Sequence, residues 1–132
     1  MQINGSIVLY KSNPHQINRV IESFLTNNDL ILKLFLVDNS PDDKLKNLAK
    51  QDNRIEYIFT GANLGYGKAH NIAIKKSIEA NVSYHVILNP DIYFDNTVIN
   101  NIYEYMENNK DIGNIIRVCE FFSVNSGCDK KD

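Results

Sequence analysis

The chain has 132 residues, of which 43% are hydrophobic and 10% aromatic, with 14 basic and 16 acidic side chains. This length suits one domain, and the hydrophobic fraction excludes a disordered chain. The formal charge of −2 gives no excess of cations for a phosphate backbone, which argues against nucleic-acid binding. No apolar run approaches the roughly 20 residues of a membrane-spanning helix, and two cysteines are too few for a disulfide framework.

Five short runs of apolar or β-branched residues predict strands. The near-continuous apolar run at 34–37 is typical of a strand that is covered on both faces, as in a parallel sheet. The predicted strands cover residues 3–9, 32–37, 55–59, 84–88 and 112–118.

Helical patterns separate the strands. Asn13 followed by Pro14 predicts the start of the first helix, which carries one apolar stripe at spacings of three and four. Ser40 followed by Pro41 predicts a second start, with two aspartates in its first turn. A third helix is predicted over residues 66–80, and a fourth from residue 95 or 96.

This alternation of strands and helices predicts an α/β fold, with an open, mostly parallel Rossmann-like sheet and helices on both faces. Residues 1–118 are predicted to form this domain. Periodicity is lost after Cys119, which predicts an irregular C-terminal tail over residues 119–132.

Small, amide or acidic residues follow the first four predicted strands, at the rim where open α/β sheets bind ligands. Ordinary loop chemistry also favours such residues, so both interpretations stay open. The stretch from Gly61 to Gly67 encloses five residues where a Walker A loop needs four, and His70 replaces the third glycine of a dinucleotide fingerprint. This stretch predicts either a plain turn or a helix N-terminus that, together with Lys68, favours the binding of an anion.

Three further residues have competing interpretations. Asp38 fits an Asx turn or an acceptor for a ligand N–H or hydroxyl. Asp91 fits a turn carboxylate or, together with pyrophosphate oxygens and water, a ligand for a divalent cation. His85 is expected to be packed within a strand, and only His70, beside the glycine loop, is a candidate functional histidine.

Four segments, in order, resemble the nucleotide-binding half of a family 2 glycosyltransferase with the GT-A fold. They are S-I-V-L-Y at 6–10, V-D-N-S at 37–40, N-L-G-Y-G-K-A-H-N at 63–71 and L-N-P-D at 88–91. The last two are similar in particular to the rhamnosyltransferase-like branch, which works on bacterial surface polysaccharides.

The resemblance implies a nucleotide-diphosphate sugar donor, UDP- or dTDP-linked, and inverting transfer to a glycan or lipid-linked acceptor. It implies that Asp91 coordinates Mg²⁺ or Mn²⁺ at the pyrophosphate. It further implies a cytoplasmic protein, or one that is peripheral at the inner membrane face. The implied nucleotide-binding residues are Tyr10, Asp38, Asn63, Gly65, Lys68, Asn71 and Asn89.

The chain departs from the family in two ways. Asn89 replaces the first acid of the metal-binding pattern, and the acceptor half with its general base is not identified, since Glu104 lies on a predicted helix and Glu120 in the tail. A short or truncated transferase is therefore expected. Uncovered surface on a half-domain would favour a homodimer.

Two alternatives remain open. One is a degenerate nucleotide-binding fragment that transfers nothing. The other is a flavodoxin-like regulatory module, which would need an acidic pair where Tyr10 and Lys11 stand.

Overall fold

The computed structural model describes residues 2–95 and 97–110. The predicted fifth strand at 112–118, the tail at 119–132 and Asn96 lie outside the described residues. The elements, in chain order, are β1 (Ile3–Leu9), α1 (Pro14–Leu25), β2 (Ile31–Asp38), a 3₁₀ helix (Lys46–Gln51), β3 (Ile55–Phe59), α2 (Tyr66–Glu79), β4 (Tyr84–Leu88) and α3 (Val98–Asn108). The first four predicted strands and the third helix are confirmed to within one residue at each end.

The four strands form one parallel sheet in the order β3-β2-β1-β4. In this register Gly5 at the centre of β1 lies between Leu34 of β2 and Val86 of β4. The prediction of an open parallel sheet with helices on both faces is confirmed. The order also excludes the flavodoxin-like alternative, in which β1 would lie between β2 and β3.

Helices α1 and α3 cover one face of the sheet with apolar side chains. The predicted start of α1 is confirmed, since Asn13 Oδ1 accepts hydrogen bonds from the amides of His15 and Gln16, and Pro14 is the first helical residue. Phe24 of α1 packs so closely over β1 that a Cβ on Gly5 would lie 2.6 Å from its ring. The α3 side chains in this core are Val98, Ile99, Ile102 and Met106.

Among the described elements, helix α2 covers the other face. Its Ala69 and Ala73 pack on a small apolar cluster from the strands that contains Phe35 and Val37. Next to this cluster the same face buries polar side chains, including Asn4 and Ser6 of β1. Within the described ranges no helix is long and apolar enough to cross a bilayer.

The prediction of a helix that starts at Ser40 and Pro41 is wrong. Residues 41–45 form turns, and only the 3₁₀ helix follows. The hydroxyl of Ser40 accepts a hydrogen bond from the amide of Lys11 instead of capping a helix. No residue of the 3₁₀ helix is fully buried, although Leu48 and Ala49 pack partly on the core, so little apolar burial is available to stabilise a longer helix.

The fourth helix begins later than predicted, at Val98. Asp95, one of the two predicted starts, accepts hydrogen bonds from the amide and hydroxyl of Thr97 through Oδ1. Its backbone carbonyl accepts from the amide of Val98. Asp95 therefore shapes the turn that leads into α3 without being its first residue.

Candidate functional site

The carboxyl ends of all four strands lie along one edge of the sheet, because the strands are parallel. The chain builds β2 and β3 on one side of β1 and then crosses to place β4 on the other side. Open α/β sheets bind ligands outside such a switch point. The loops after β1, β2, β3 and β4 therefore form the candidate site, which we call the rim.

Asp38 ends β2 at the rim with none of its surface exposed. Its Oδ1 accepts a hydrogen bond from the amide of Ser40 at 3.0 Å, which is the Asx turn considered from the sequence. Its Oδ2 accepts from the hydroxyl of Tyr57 at 2.5 Å. Desolvation and then this bond raise the pKa of Tyr57. Both oxygens of the Asp38 side chain thus accept hydrogen bonds from groups of the protein. The bond to the Ser40 amide fixes the position of Ser40.

Ser40 in turn holds the loop after β1. Its hydroxyl accepts from the amide of Lys11 at 2.7 Å. Lys11 has a φ of 49°, a left-handed conformation that is uncommon for a residue with a side chain. Half-exposed Tyr10 is the first residue of this loop; its backbone amide donates to Ser12 Oγ, and its ring lies under the ammonium of Lys11. This loop geometry is set by contacts across 29 residues of sequence.

A cavity of about 460 Å³ opens between the loops that follow β1 and β2. This volume is in the range of small-molecule sites. Its walls combine cationic, hydroxyl and apolar groups: Lys11, Ser12, Pro14, Ser40, Pro41, Asp42, Lys44 and Leu45.

Asn39 joins three of the rim loops, although no separate role was predicted for it. Its backbone amide donates to the carbonyl of Leu9. Its side-chain Nδ2 donates to the carbonyl of Gly65, and its Oδ1 accepts from the hydroxyl of Thr60. The only sequence signal was its place in the V-D-N-S segment. Asn39 therefore connects the loops after β1, β2 and β3.

The glycine-rich loop leads directly into α2. Gly61 and Gly65 have φ values of 78° and 88°, which only glycine adopts without strain. Asn63 Oδ1 accepts from the amide of Gly65 and so closes the turn before the helix. No side chain in the described part of the chain caps α2, and its first amides have no intrahelical acceptor. This exposed helix start, with Lys68 in its first turn, can bind an anion through amides and one cation.

Tyr66 brings the start of α2 to the end of β4. Its hydroxyl donates to Asn89 Oδ1 at 2.7 Å. Burial, and after it the charge of Asp91, raises the pKa of Tyr66. Asn89 and Asp91 therefore lie beside the α2 start, and their roles in binding stay a prediction. Asn71, also predicted, is exposed further along α2.

The donor set at the end of β4 is small. Within residues 2–95 and 97–110 no three histidine, cysteine, aspartate or glutamate side chains group together as a metal cage. The oxygen of Asn89 is occupied by Tyr66, so its Nδ2 is left to donate. Exposed Asp91 is an oxygen ligand of the kind that Mg²⁺ takes together with substrate phosphates, and in this sense the residues fit a divalent cation.

Comparison with known proteins gives one family. The family described as glycosyl transferase family 2 matches residues 6–128. No curated protein matches the chain.

Solved structures of Staphylococcus aureus TarS share the fold. One crystal structure of TarS has a TM-score of 0.64 at 17% identity, over 83% of this chain and 20% of that one. TarS 1–349 in complex with UDP-GlcNAc gives a TM-score of 0.63 at 16% identity, over 82% of this chain and 32% of that one. The complex with UDP gives 0.62 at 17%, with the same coverage. The chain thus spans between a fifth and a third of these structures, and its sheet has the GT-A Rossmann-like form.

Proposed function

Since the chain belongs to glycosyl transferase family 2, we propose that its rim binds a nucleotide-diphosphate sugar, as the donor side of an inverting glycosyltransferase. The carrying observation is the hydrogen bond from Tyr66 to Asn89, because it brings an uncapped helix start and an exposed carboxylate together. TarS was crystallised with UDP-GlcNAc and with UDP, which favours a uridine nucleotide as the first ligand to test.

We assign the nucleotide's parts by chemistry. The diphosphate suits the first amides of α2 and the ammonium of Lys68, because both favour negative charge. The cavity between the loops after β1 and β2 would receive the base and ribose, and half-exposed Tyr10 directly precedes Lys11 of its wall. Asp38 supports this cavity by fixing Ser40. Asn63 and Gly65 shape the loop, and Asn71 continues the exposed face of α2.

Asp91 would hold Mg²⁺ or Mn²⁺ together with oxygens of the diphosphate. The cation, when bound, stabilises the charge that develops on the diphosphate leaving group. In the inverting reaction the acceptor hydroxyl attacks the anomeric carbon while the bond from that carbon to the diphosphate breaks. The chain's own contribution is to hold the leaving group through α2, Lys68 and the Nδ2 of Asn89.

The finer assignments follow the motifs. The Asn63–Asn71 loop and the L-N-P-D segment support the rhamnosyltransferase-like branch, with a glycan or lipid-linked acceptor in bacterial surface polysaccharide synthesis. That role would place the protein in the cytoplasm or at the inner membrane face. We assign no general base, since Glu104 is exposed on α3, whose packing face belongs to the opposite side of the sheet from α2. The homodimer stays a prediction.

Calorimetry with UDP and dTDP, each with and without Mn²⁺, tests the proposal. We expect binding that Mn²⁺ strengthens, and we expect Asp91→Ala to remove the metal-dependent part. The matched control is Asp29→Ala, an exposed aspartate in the loop before β2, at the other end of the strands. If neither nucleotide binds at millimolar concentration, the proposal is wrong.

Asp38→Ala separates the base site from the metal site. It removes the oxygen that accepts the hydrogen bond from the Ser40 amide, so nucleoside binding should weaken even without metal. Tyr57→Phe is the control, because it removes the other hydrogen bond to Asp38 and leaves Ser40 in place. Binding of UDP without release of sugar from any UDP- or dTDP-sugar would favour the degenerate fragment.

A further inference from the structure

Five polar side chains form an unbroken hydrogen-bonded row between the sheet and α2, which we call the polar relay. Asn4 Nδ2 donates to Ser77 Oγ at 2.9 Å, and Ser77 Oγ lies 2.7 Å from His85 Nδ1. His85 Nε2 lies 2.8 Å from Ser6 Oγ, which is also 2.8 Å from His70 Nδ1. The row thus runs from Asn4 near the start of β1 to His70 in the second turn of α2.

Both imidazoles in the polar relay are neutral at pH 7. Desolvation lowers the pKa of His70 to about 4, and desolvation followed by the charge of His70 lowers that of His85 to about 4. A neutral imidazole has one N–H and one bare nitrogen, and each serine has one hydroxyl hydrogen. Where each serine hydroxyl donates within the row, the hydrogens point head to tail in one of two ways, towards His70 or towards Asn4.

The Asn4 amide selects the direction towards His70. Because Ser77 accepts from Asn4, it donates its own hydrogen to His85 Nδ1. His85 then carries its hydrogen on Nε2 and donates to Ser6, which donates to His70 Nδ1. The hydrogen of His70 is consequently on Nε2, a buried atom without a partner among the described residues.

The opposite direction would require the Asn4 amide to turn its oxygen towards Ser77. The present arrangement leaves Asn4 Oδ1 buried and unpaired within the described part of the chain. The turned amide would leave the NH₂ group in that place. Each direction leaves one buried N–H group unpaired among the described residues, on His70 Nε2 or on Asn4, so the direction rests on the hydrogen bond from Asn4 Nδ2 to Ser77 Oγ.

We propose that the polar relay fixes His70 as the neutral tautomer with its hydrogen on Nε2, and that Asn4 and His70 thereby act as positioning residues for the rim. His70 packs edge to face against Tyr66, with ring centroids 4.4 Å apart, and Tyr66 holds Asn89. The charge distribution along an imidazole edge governs such a contact. The link from the relay to nucleotide binding rests on the proposed function, whereas the tautomer itself does not.

Long-range ¹H–¹⁵N NMR of the histidine side chains tests the tautomer in the free protein. The sequence has three histidines, and exposed His15 serves as the reference, assigned with His15→Gln. We expect pyrrole-type Nε2 and pyridine-type Nδ1 in both His70 and His85 at neutral pH. A hydrogen on Nδ1 of either ring would overturn the proposal.

Asn4→Asp tests whether the first residue sets the direction. An ionised carboxylate only accepts, so Ser77 must donate to it and every hydrogen in the row should reverse, which moves the His70 hydrogen to Nδ1. Asn28→Asp is the matched control. Asn28 is also buried, and its Nδ2 has no partner among the described residues, but it lies outside the relay. It should leave both tautomers unchanged.

If Asn4→Asp does not fold, Ser77→Ala breaks the same connection, with exposed Ser83→Ala as its control. Mixed tautomers at His70 are then expected. A pure Nε2–H form of His70 in either relay variant would show that Asn4 does not act through the row.

Titration with UDP and Mg²⁺ tests the connection to the rim. We expect the ¹⁵Nε2 resonance of His70 to shift on binding while that of His15 stays. If UDP does not bind, the proposed function fails and the free-protein tautomer still decides the relay. If UDP binds and His70 does not respond, the relay has no positioning role at the rim.

Discussion

The face of the sheet under α1 and α3 is packed with aliphatic and aromatic side chains, whereas the face under α2 sets a small apolar cluster beside the polar relay. Apolar packing is nearly non-directional and stabilises in proportion to the area that it buries. Hydrogen bonds contribute less net stability but fix distances and orientations.

The two faces of the sheet have different roles in this fold. The α1–α3 face carries most of the stability. The α2 face holds the helix whose first turn forms the rim, and it does so through directional contacts. The part of the rim at the start of α2 is therefore coupled to the polar face, whereas the cavity between the loops after β1 and β2 is lined by Leu45, which packs on the larger core.

The largest expected effect is on the apolar face. Phe24→Ala removes a fully buried ring that packs over Gly5, and we expect the free energy of unfolding to fall by about 3–5 kcal/mol. Urea titration of the native chain and the variant measures this difference in the free energy of unfolding. The control is Phe59→Ala, because Phe59 is 41% exposed and its loss should cost far less. Equal losses in the two variants would contradict the assignment of stability to this face.

Sequence alone predicted the apolar face well, because its strands and helices have local signals. The stripe of α1 and its Asn13 cap lie within a few residues of one another. The failed helix at Ser40 shows the limit of such signals, since the hydroxyl that should have capped it bonds to Lys11, 29 residues earlier. A tertiary contact there overrode a valid local pattern.

The second prediction concerns pH and the polar face. The folded pKa of about 4 for His70 and His85 lies below the unfolded value of about 6.5. The unfolded chain therefore binds more protons in this window, and stability must fall as the pH falls from 6.5 towards 4. At about 1.4 kcal/mol per pH unit below the unfolded pKa, each histidine contributes a loss of about 2 kcal/mol between pH 6.5 and 4.5, so we expect about 4 kcal/mol for the two together.

Denaturant titrations across this range, on the native chain and on a double variant His70→Asn, His85→Gln, check the prediction. The variant should lose most of the slope. The carboxylates with lowered pKa values, those of Asp52 and Glu107 among them, also favour folding at higher pH, but their contribution is lost only below their ordinary values near 4. An unchanged slope in the variant would mean that the relay histidines are not held neutral.

The rim could be predicted only in part. Parallel strands bring their carboxyl ends to one edge, so Asp38, Asn89 and Asp91 were identified from their places after the strands. Asn39 and Tyr66 were not, because their partners Gly65 and Asn89 are 26 and 23 residues away. The polar relay did have a signal, since Asn4 and Ser6 alternate with apolar residues in β1 and so share one face.

The smallest expected change in stability is at the junction of the polar face and the rim. Tyr66→Phe removes the hydrogen bond to Asn89 and keeps the ring that packs on His70. Tyr66 is 50% exposed, so the loss in stability should be under about 1 kcal/mol. Tyr105→Phe, a similarly exposed tyrosine on α3, is the control. The two variants should have similar melting temperatures. Tyr66→Phe alone should weaken UDP binding measured by calorimetry, because the hydrogen bond that holds Asn89 is lost. Identical UDP affinities in the two variants would show that the rim does not depend on this contact, and the division of work between the two faces would then stop at stability.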